Sequence, residues 1–114
     1  MTPLLSRSWN WTDVPREHLD DGVVRQKIYG DRLMVCRLTI PAGTAITPHR
    51  HPHEQITLVD SGRVRYVLGS EQREFGPGDI ILLPGEFWHG ATMLDEDVVL
   101  IDIFSPIRED FLER

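Results

Sequence analysis

Apolar side chains along this chain come in short alternating or mixed runs, punctuated every few residues by glycine and proline. In Arg63–Leu68, Val64, Tyr66 and Leu68 fall on one side and Arg63 and Arg65 on the other. That two-residue period is the mark of a half-buried strand. Val98–Phe104 is the last clear strand, and Leu33–Ile40 carries apolar groups on both faces, as a strand in a closed barrel does. Further extended segments are expected over Val23–Tyr29, Thr44–His51, Gln55–Val59 and Ile80–Leu83. Turn chemistry separates them at Gly30-Asp31, Pro41-Ala-Gly43, Asp60-Ser-Gly62, Gly69-Ser70, Gly76-Pro-Gly78-Asp79 and Pro84-Gly85. Pro106 closes the last strand, Ile107–Leu112 fits one helical turn, and residues 10–20 read as a loop or short helix. Many short strands at this spacing predict an all-β sandwich or barrel. With no internal repeat and no linker, one domain is expected over residues 1–114. Its core barrel would span about 23–105, with an N-terminal arm over 1–22 and a short C-terminal turn or helix over 106–114.

Composition narrows the possible functions. The 114 residues include 12 basic and 18 acidic side chains, for a formal charge of −6. That balance argues against binding nucleic acid through its phosphates. Apolar runs such as Ile80–Leu83 and Val98–Ile101 are far shorter than the ~20 residues of a membrane helix, so no membrane association is expected. The first residues show no basic lead followed by an apolar stretch, which predicts no secretory signal and a cytoplasmic address. The single cysteine, Cys36, allows no internal disulfide and suits a reducing compartment.

Histidine is clustered. His49, His51 and His53 fall within His49-Arg-His51-Pro-His53-Glu54-Gln55, and His89 follows Trp88 in a separate segment. On a strand, residues i and i+2 share a face, so His49 and His51 present two imidazoles about 7 Å apart at the backbone. Two donors from neighbouring strands would complete a metal site, and imidazole suits zinc, iron, nickel, manganese or cobalt.

The spacing around these residues resembles the two motifs of the cupins, a family of small jelly-roll barrels (double-stranded β-helices). Gly43, His49, His51, Gln55 and Gly62 match the first motif, with glutamine where glutamate is usual. Gly78, Pro84 and His89 match the second, while Glu86 stands where glycine is expected and Met93 where asparagine is expected. The resemblance implies a metal site of His49, His51, Gln55 and His89, holding one divalent transition metal ion. Three neutral imidazoles and a neutral amide would leave that ion its full charge, favouring an anionic substrate such as a carboxylate. Strand parity turns Glu54 to the opposite face, and His53 lies in the turn-prone neighbourhood of Pro52. Trp88 reads as packing at the barrel mouth.

The string from His49 to Gln55, the early segment Val24–Val35 and the tail Leu100–Leu112 are together similar to a narrower group, the uronate-linearising KdgF cupins of pectin and alginate breakdown. That likeness implies a pocket in which Asp102, Phe104 and Arg108 join the metal. Asp102 also stands out on its own, because it interrupts the apolar face of Val98 and Leu100, where an acid is costly unless paired or functional. The expected activity is opening of a 4,5-unsaturated uronate ring to the linear 4-deoxy-5-keto uronate. Asp102 and Arg108 would be catalytic, and Phe104 and Arg108 would bind substrate. Competing readings are another small-cupin enzyme (a polyketide cyclase, isomerase or dioxygenase) and a non-catalytic ligand-binding or sensor module. A homodimer is expected, to which Trp9 and Trp11 could contribute if they are not core or tail.

Overall fold

The computed structural model describes residues 6–112. Among them the chain forms β1 (Glu17–His18), β2 (Val24–Tyr29), β3 (Met34–Ile40), β4 (Ala45–His49), β5 (Glu54–Ser61), β6 (Val64–Leu68), β7 (Glu71–Phe75), β8 (Ile80–Leu83), β9 (His89–Met93) and β10 (Val98–Ser105). Two antiparallel sheets result, with strand orders β1-β2-β3-β10-β5-β8 and β4-β9-β6-β7. The all-β expectation holds. No described helix is long and apolar enough to cross a membrane.

The residues read as a loop or short helix near the N-terminus form a one-turn 3-10 helix, Trp11–Asp13, followed by the two-residue β1. Asn10 caps that turn by accepting the Thr12 N–H at 2.9 Å. The expected C-terminal turn is present as a 3-10 helix over Glu109–Leu112. Residues 1–5 and 113–114 of the expected arm and tail lie outside the described residues.

Strand β10 lies inside the six-stranded sheet, paired to β3 on one side and β5 on the other. Its side chains alternate strictly, so Val98, Leu100, Asp102 and Phe104 are buried and point between the sheets. Two apolar clusters form there. The larger includes Ile40, Val59, Val64, Leu83, Met93, Val98 and Leu100; the smaller joins Met34, Cys36 and Phe104, flanked by Ile107 and Phe111. Each fully buried aliphatic side chain of this kind stabilises the fold by ~1.5–3 kcal/mol. Met93, which departs from the second cupin motif, is one of these core side chains at 1% exposure, where an amide would have to be hydrogen-bonded. The N-terminal arm covers part of the opposite face of β2. Gln26 is buried there and donates from Nε2 to the Trp11 and Val14 carbonyls at 2.7 and 3.0 Å.

Two motif positions show why glycine belongs in the pattern. Gly62 has φ +81°, and a Cβ there would come within 2.5 Å of the Asp97 carbonyl oxygen. Glu86 occupies the other position and adopts φ +61° without being glycine. Its N–H donates to the His51 carbonyl at 2.7 Å, so the strained turn is anchored to the histidine segment. Left-handed backbone costs a side-chain-bearing residue ~1–2 kcal/mol, and the entropy of an added glycine takes back ~0.5–1 kcal/mol. Glu86→Gly should therefore raise the melting temperature by a few degrees. A thermal melt that falls or stays level would show that the Glu86 side chain contributes contacts worth more than the strain.

Candidate functional site

The site is built where the two sheets face each other. Antiparallel pairing sets His49 of β4 opposite His89 of β9. His51 follows β4 and turns inward, so the three rings stack around a common point with centroids 4.6 to 5.6 Å apart. One ring nitrogen from each of His49, His51 and His89 lies within 4.8 Å of the others. Gln55, at the start of β5, brings its Oε1 to 3.1 Å from His51 Nε2. The four side chains singled out in the sequence thus converge. Glu54 is exposed, and the His53 ring packs edge-on against His51 with centroids 5.4 Å apart.

The tautomers show what this cluster suits. Nδ1 of His49 lies 3.1 Å from the Thr47 carbonyl, Nδ1 of His51 3.1 Å from that of His53, and Nδ1 of His89 2.8 Å from that of Phe87. A carbonyl only accepts, so each Nδ1 carries the hydrogen and each Nε2 presents a lone pair. Burial, then the charges of Arg108 and His89, push His51 down to about 4. Burial likewise lowers His89. Both rings are neutral near pH 7. His51 then has one hydrogen but two oxygen neighbours, so its Nε2 lone pair faces the Gln55 oxygen at 3.1 Å. A cation shared between them removes that repulsion, so His49, His51 and His89 could hold a metal ion, with Gln55 oxygen adjoining.

Behind Gln55 runs a buried hydrogen-bonded chain. Gln55 Nε2 donates to Thr57 Oγ1 at 2.8 Å, and the Thr57 hydroxyl donates to Asp102 Oδ1 at 2.7 Å. Thr57 and Asp102 are directly paired between β5 and β10. Burial drives the Asp102 carboxyl up to about 6, against the opposing effects of the hydrogen bonds from Thr57 and Gln55 and the Arg108 charge. A buried acid titrating so near neutrality is equipped to hold or release a proton.

A cavity of about 230 Å³ joins these groups, lined by His49, Gln55, His89, Asp102, Phe104 and Arg108 among others. Arg108, for which a surface fate was the alternative, folds over the mouth. Its guanidinium carbon stands 5.1 Å from the Phe104 ring centroid and 4.3 Å from that of Phe111. Asp110 takes its Nε and Nη2 at 3.1 and 2.8 Å and so fixes the plane of the group. Trp88 is corrected: it is 49% exposed and does not line this cavity, because the strand bearing His89 turns the preceding side chain outward. Thr57 and the cavity-lining Tyr66 were missed. Thr57 shares the face of Gln55 two residues earlier, but its pairing with Asp102 depends on a strand register that the sequence does not display.

The comparisons with known proteins agree with this geometry. The cupin domain model matches residues 36–104, and the chain belongs to the cupin family. The "Pectin degradation protein KdgF" of Dickeya dadantii (strain 3937) is 39% identical over 102 residues, spanning 88% of this chain and 93% of that protein. Within the cupins, the chain belongs with the KdgF proteins. The solved structure of KdgF from Halomonas sp. superposes with a TM-score of 0.88 at 30% identity, covering 94% of this chain and 99% of that one. The polyketide cyclase RemF of Streptomyces resistomycificus, at 21% identity and TM-score 0.76 over 90% of this chain and 80% of that one, shares the fold.

The Thr57 bridge gives a direct test. Thr57→Val keeps the side-chain shape but leaves Gln55 Nε2 and Asp102 Oδ1 without their partner, at an expected cost of ~1–3 kcal/mol. Because the lost donor stabilises the carboxylate, Asp102 should titrate higher than in the parent protein when followed by carboxyl-carbon NMR. An unchanged titration would show that the hydroxyl does not govern Asp102.

Proposed function

We propose that this protein opens the ring of a 4,5-unsaturated uronate and yields the linear 4-deoxy-5-keto uronate. The observation that carries the reading is the buried, near-neutral Asp102 in one cavity with Arg108, His49 and His89, two of the three converging imidazoles. The name of the Dickeya relative, a pectin degradation protein, supports the same substrate class. Metal ligation is assigned to His49, His51, Gln55 and His89, acid–base work to Asp102, and substrate binding to Phe104 and Arg108.

The reaction adds no atoms. The C1 hydroxyl loses its proton as C1 becomes a carbonyl and its bond to the ring oxygen breaks. That oxygen remains on C5 as an enolate, and a proton delivered to C4 completes the ketone. Asp102 carries these protons in this reading, which is supported by a carboxyl that can be occupied or empty at little cost near pH 6. Arg108, its plane held by Asp110, offers its remaining guanidinium edge to the sugar carboxylate. Phe104 supplies an apolar wall. A bound divalent transition metal ion (zinc, nickel, iron, manganese or cobalt) would supply Lewis acidity toward oxygen. Gln55 adds no negative charge to oppose an anionic substrate. The buried free Cys36 thiol is in keeping with a cytoplasmic setting.

Loss of the 4,5-double-bond absorbance with metal-loaded protein measures the activity. Asp102→Asn should keep its melting temperature and metal content while turnover falls about 100-fold or more. Arg108→Ala should raise KM about tenfold with a smaller effect on kcat. A folded, metal-loaded Asp102→Asn protein with parental turnover would remove Asp102 from the chemistry.

The reading includes a homodimer. The outer face of β8 and β5 presents Ile80, Leu82 and Ile56 at 67, 57 and 38% exposure. Ile56 stands opposite Leu82, so these side chains form one continuous patch beside the free edge of β8. A second copy laid two-fold on this face would cover the patch and the edge together. Leu82→Glu should give a monomer by sedimentation, and a dimer of unchanged affinity would place the interface elsewhere.

A further inference from the structure

Arg25 is a cation with an unanswered donor. It lies on β2, is 4% exposed, and spends Nε on Glu17 Oε1 at 2.9 Å. Its Nη2 is buried and has no hydrogen-bond partner among the described residues. A guanidinium stays charged in proteins, and a buried unmet donor on a charged group is costly. Glu17 does not cancel the local charge, because its second oxygen is taken by Lys27. Two cations therefore share one carboxylate in this ion cluster, and Asp20, which bounds the cavity beside Arg25, is the opposing charge there.

The position of Arg25 gives its guanidinium a use. Register places Arg25 opposite Leu38 and Leu38 opposite Leu100, one row across β2, β3 and β10. Leu38 and Leu100 line the cavity that holds the histidines. Arg25 lines a second cavity of about 460 Å³, also bounded by His18 and Asp20. The two cavities share Leu38, Ile46 and Phe111 as walls. The Phe111 ring lies 4.1 Å from the Arg25 guanidinium carbon and 4.3 Å from that of Arg108. The two guanidinium groups are thus separated by little more than one aromatic ring.

We propose that Arg25 is a second carboxylate-binding position, in the cavity that adjoins the histidine pocket at Phe111, and that it holds a sugar acid entering or leaving that pocket. Nη2 is closed from solvent and the Phe111 ring lies over the guanidinium, so carboxylate binding at Nη2 requires that ring to move aside. The planar fork of Arg25 suits a carboxylate, and the apolar walls suit the carbon face of a sugar. The assignment of a sugar acid rests on the uronate reading above; the presence of an anion position does not.

Calorimetric titration with galacturonate, a saturated hexuronate with no 4,5-double bond, tests it on the intact protein. Arg25→Gln should bind about tenfold more weakly, and Arg25→Lys should restore part of the loss. Glu17→Gln frees the guanidinium from its carboxylate and should bind more tightly. A purely structural ion pair predicts weakening, or no change, in both Arg25→Gln and Glu17→Gln, and either result would overturn the proposal. So would absence of binding to the parent protein. If Arg25→Gln does not fold, judged by circular dichroism, the sign of the Glu17→Gln change decides alone. Steady-state kinetics separate the two sources. A raised KM in Arg25→Gln marks an incoming cyclic uronate, and weaker inhibition by the linear product alone marks an outgoing one. If the parent protein leaves unsaturated uronates intact, the uronate reading falls while the galacturonate titration still decides the role of Arg25.

Discussion

The hydroxyl of Thr57 is the contact on which the interior depends. Asp102 sits fully between two sheets whose facing side chains are otherwise mostly apolar, and a lone buried carboxylate there would be prohibitive. Direct pairing of β5 with β10 puts Thr57 at its side, where the hydroxyl donates to Asp102 while accepting from Gln55. That arrangement fixes the amide of Gln55 so that its oxygen, not its nitrogen, faces the histidines. A polar belt is thereby held between the apolar cluster around Leu100 and the one around Phe104. The belt requires both clusters, since each excludes water from one side and so makes the few hydrogen bonds within it strong.

The charge distribution follows from the same belt. The protein is acidic overall, yet its histidine pocket offers the neutral rings of His51 and His89, a neutral amide and one carboxyl already displaced toward the protonated form by burial. Cations stand at its edge: Arg108 over Phe104, and Arg25 past Phe111. A carboxylate approaching this region leaves an acidic surface for one where Arg108 is paired with Asp110 and where Arg25 and Lys27 share Glu17. Electrostatics of this local kind can oppose the net charge because screening at physiological ionic strength confines distant surface charges to a range of about 8 Å.

Much of this was legible in the chain. The two-residue alternation of Arg63–Leu68 and Val98–Phe104, with glycine and proline between segments, was enough for an all-β fold, and the resemblance to the two cupin motifs was enough to bring four side chains together. Local sequence carries that information because alternation and turn chemistry are local. Partnerships across strands are another matter. Thr57 looked like one β-branched strand residue among several, and only the register with β10 makes it the neighbour of Asp102. Arg25 resembled any basic residue on a strand, and its burial follows from β1 and Phe111 closing over it. Trp88 misled because large aromatics are usually packed, whereas here the orientation of His89 into the pocket sends its neighbour outward. Glu86 was visible as a departure from the motif, but its positive φ needed the backbone itself.

The C-terminal turn couples these pieces. Residues Glu109–Leu112 follow β10 after the short link 106–108, so the strand that carries Asp102 and Phe104 also delivers Arg108 and Phe111 to the mouth. Phe111 then meets Phe104 edge-on at 5.8 Å and lies against both arginines. Two like charges held near one another repel, and the aromatic ring between them offers each a favourable quadrupole face while keeping them apart. A carboxylate paired with either guanidinium would offset part of its attraction to that ring. The boundary between the two cavities is therefore built in part from Phe111, the ring that lies against both arginines proposed to recognise an anion.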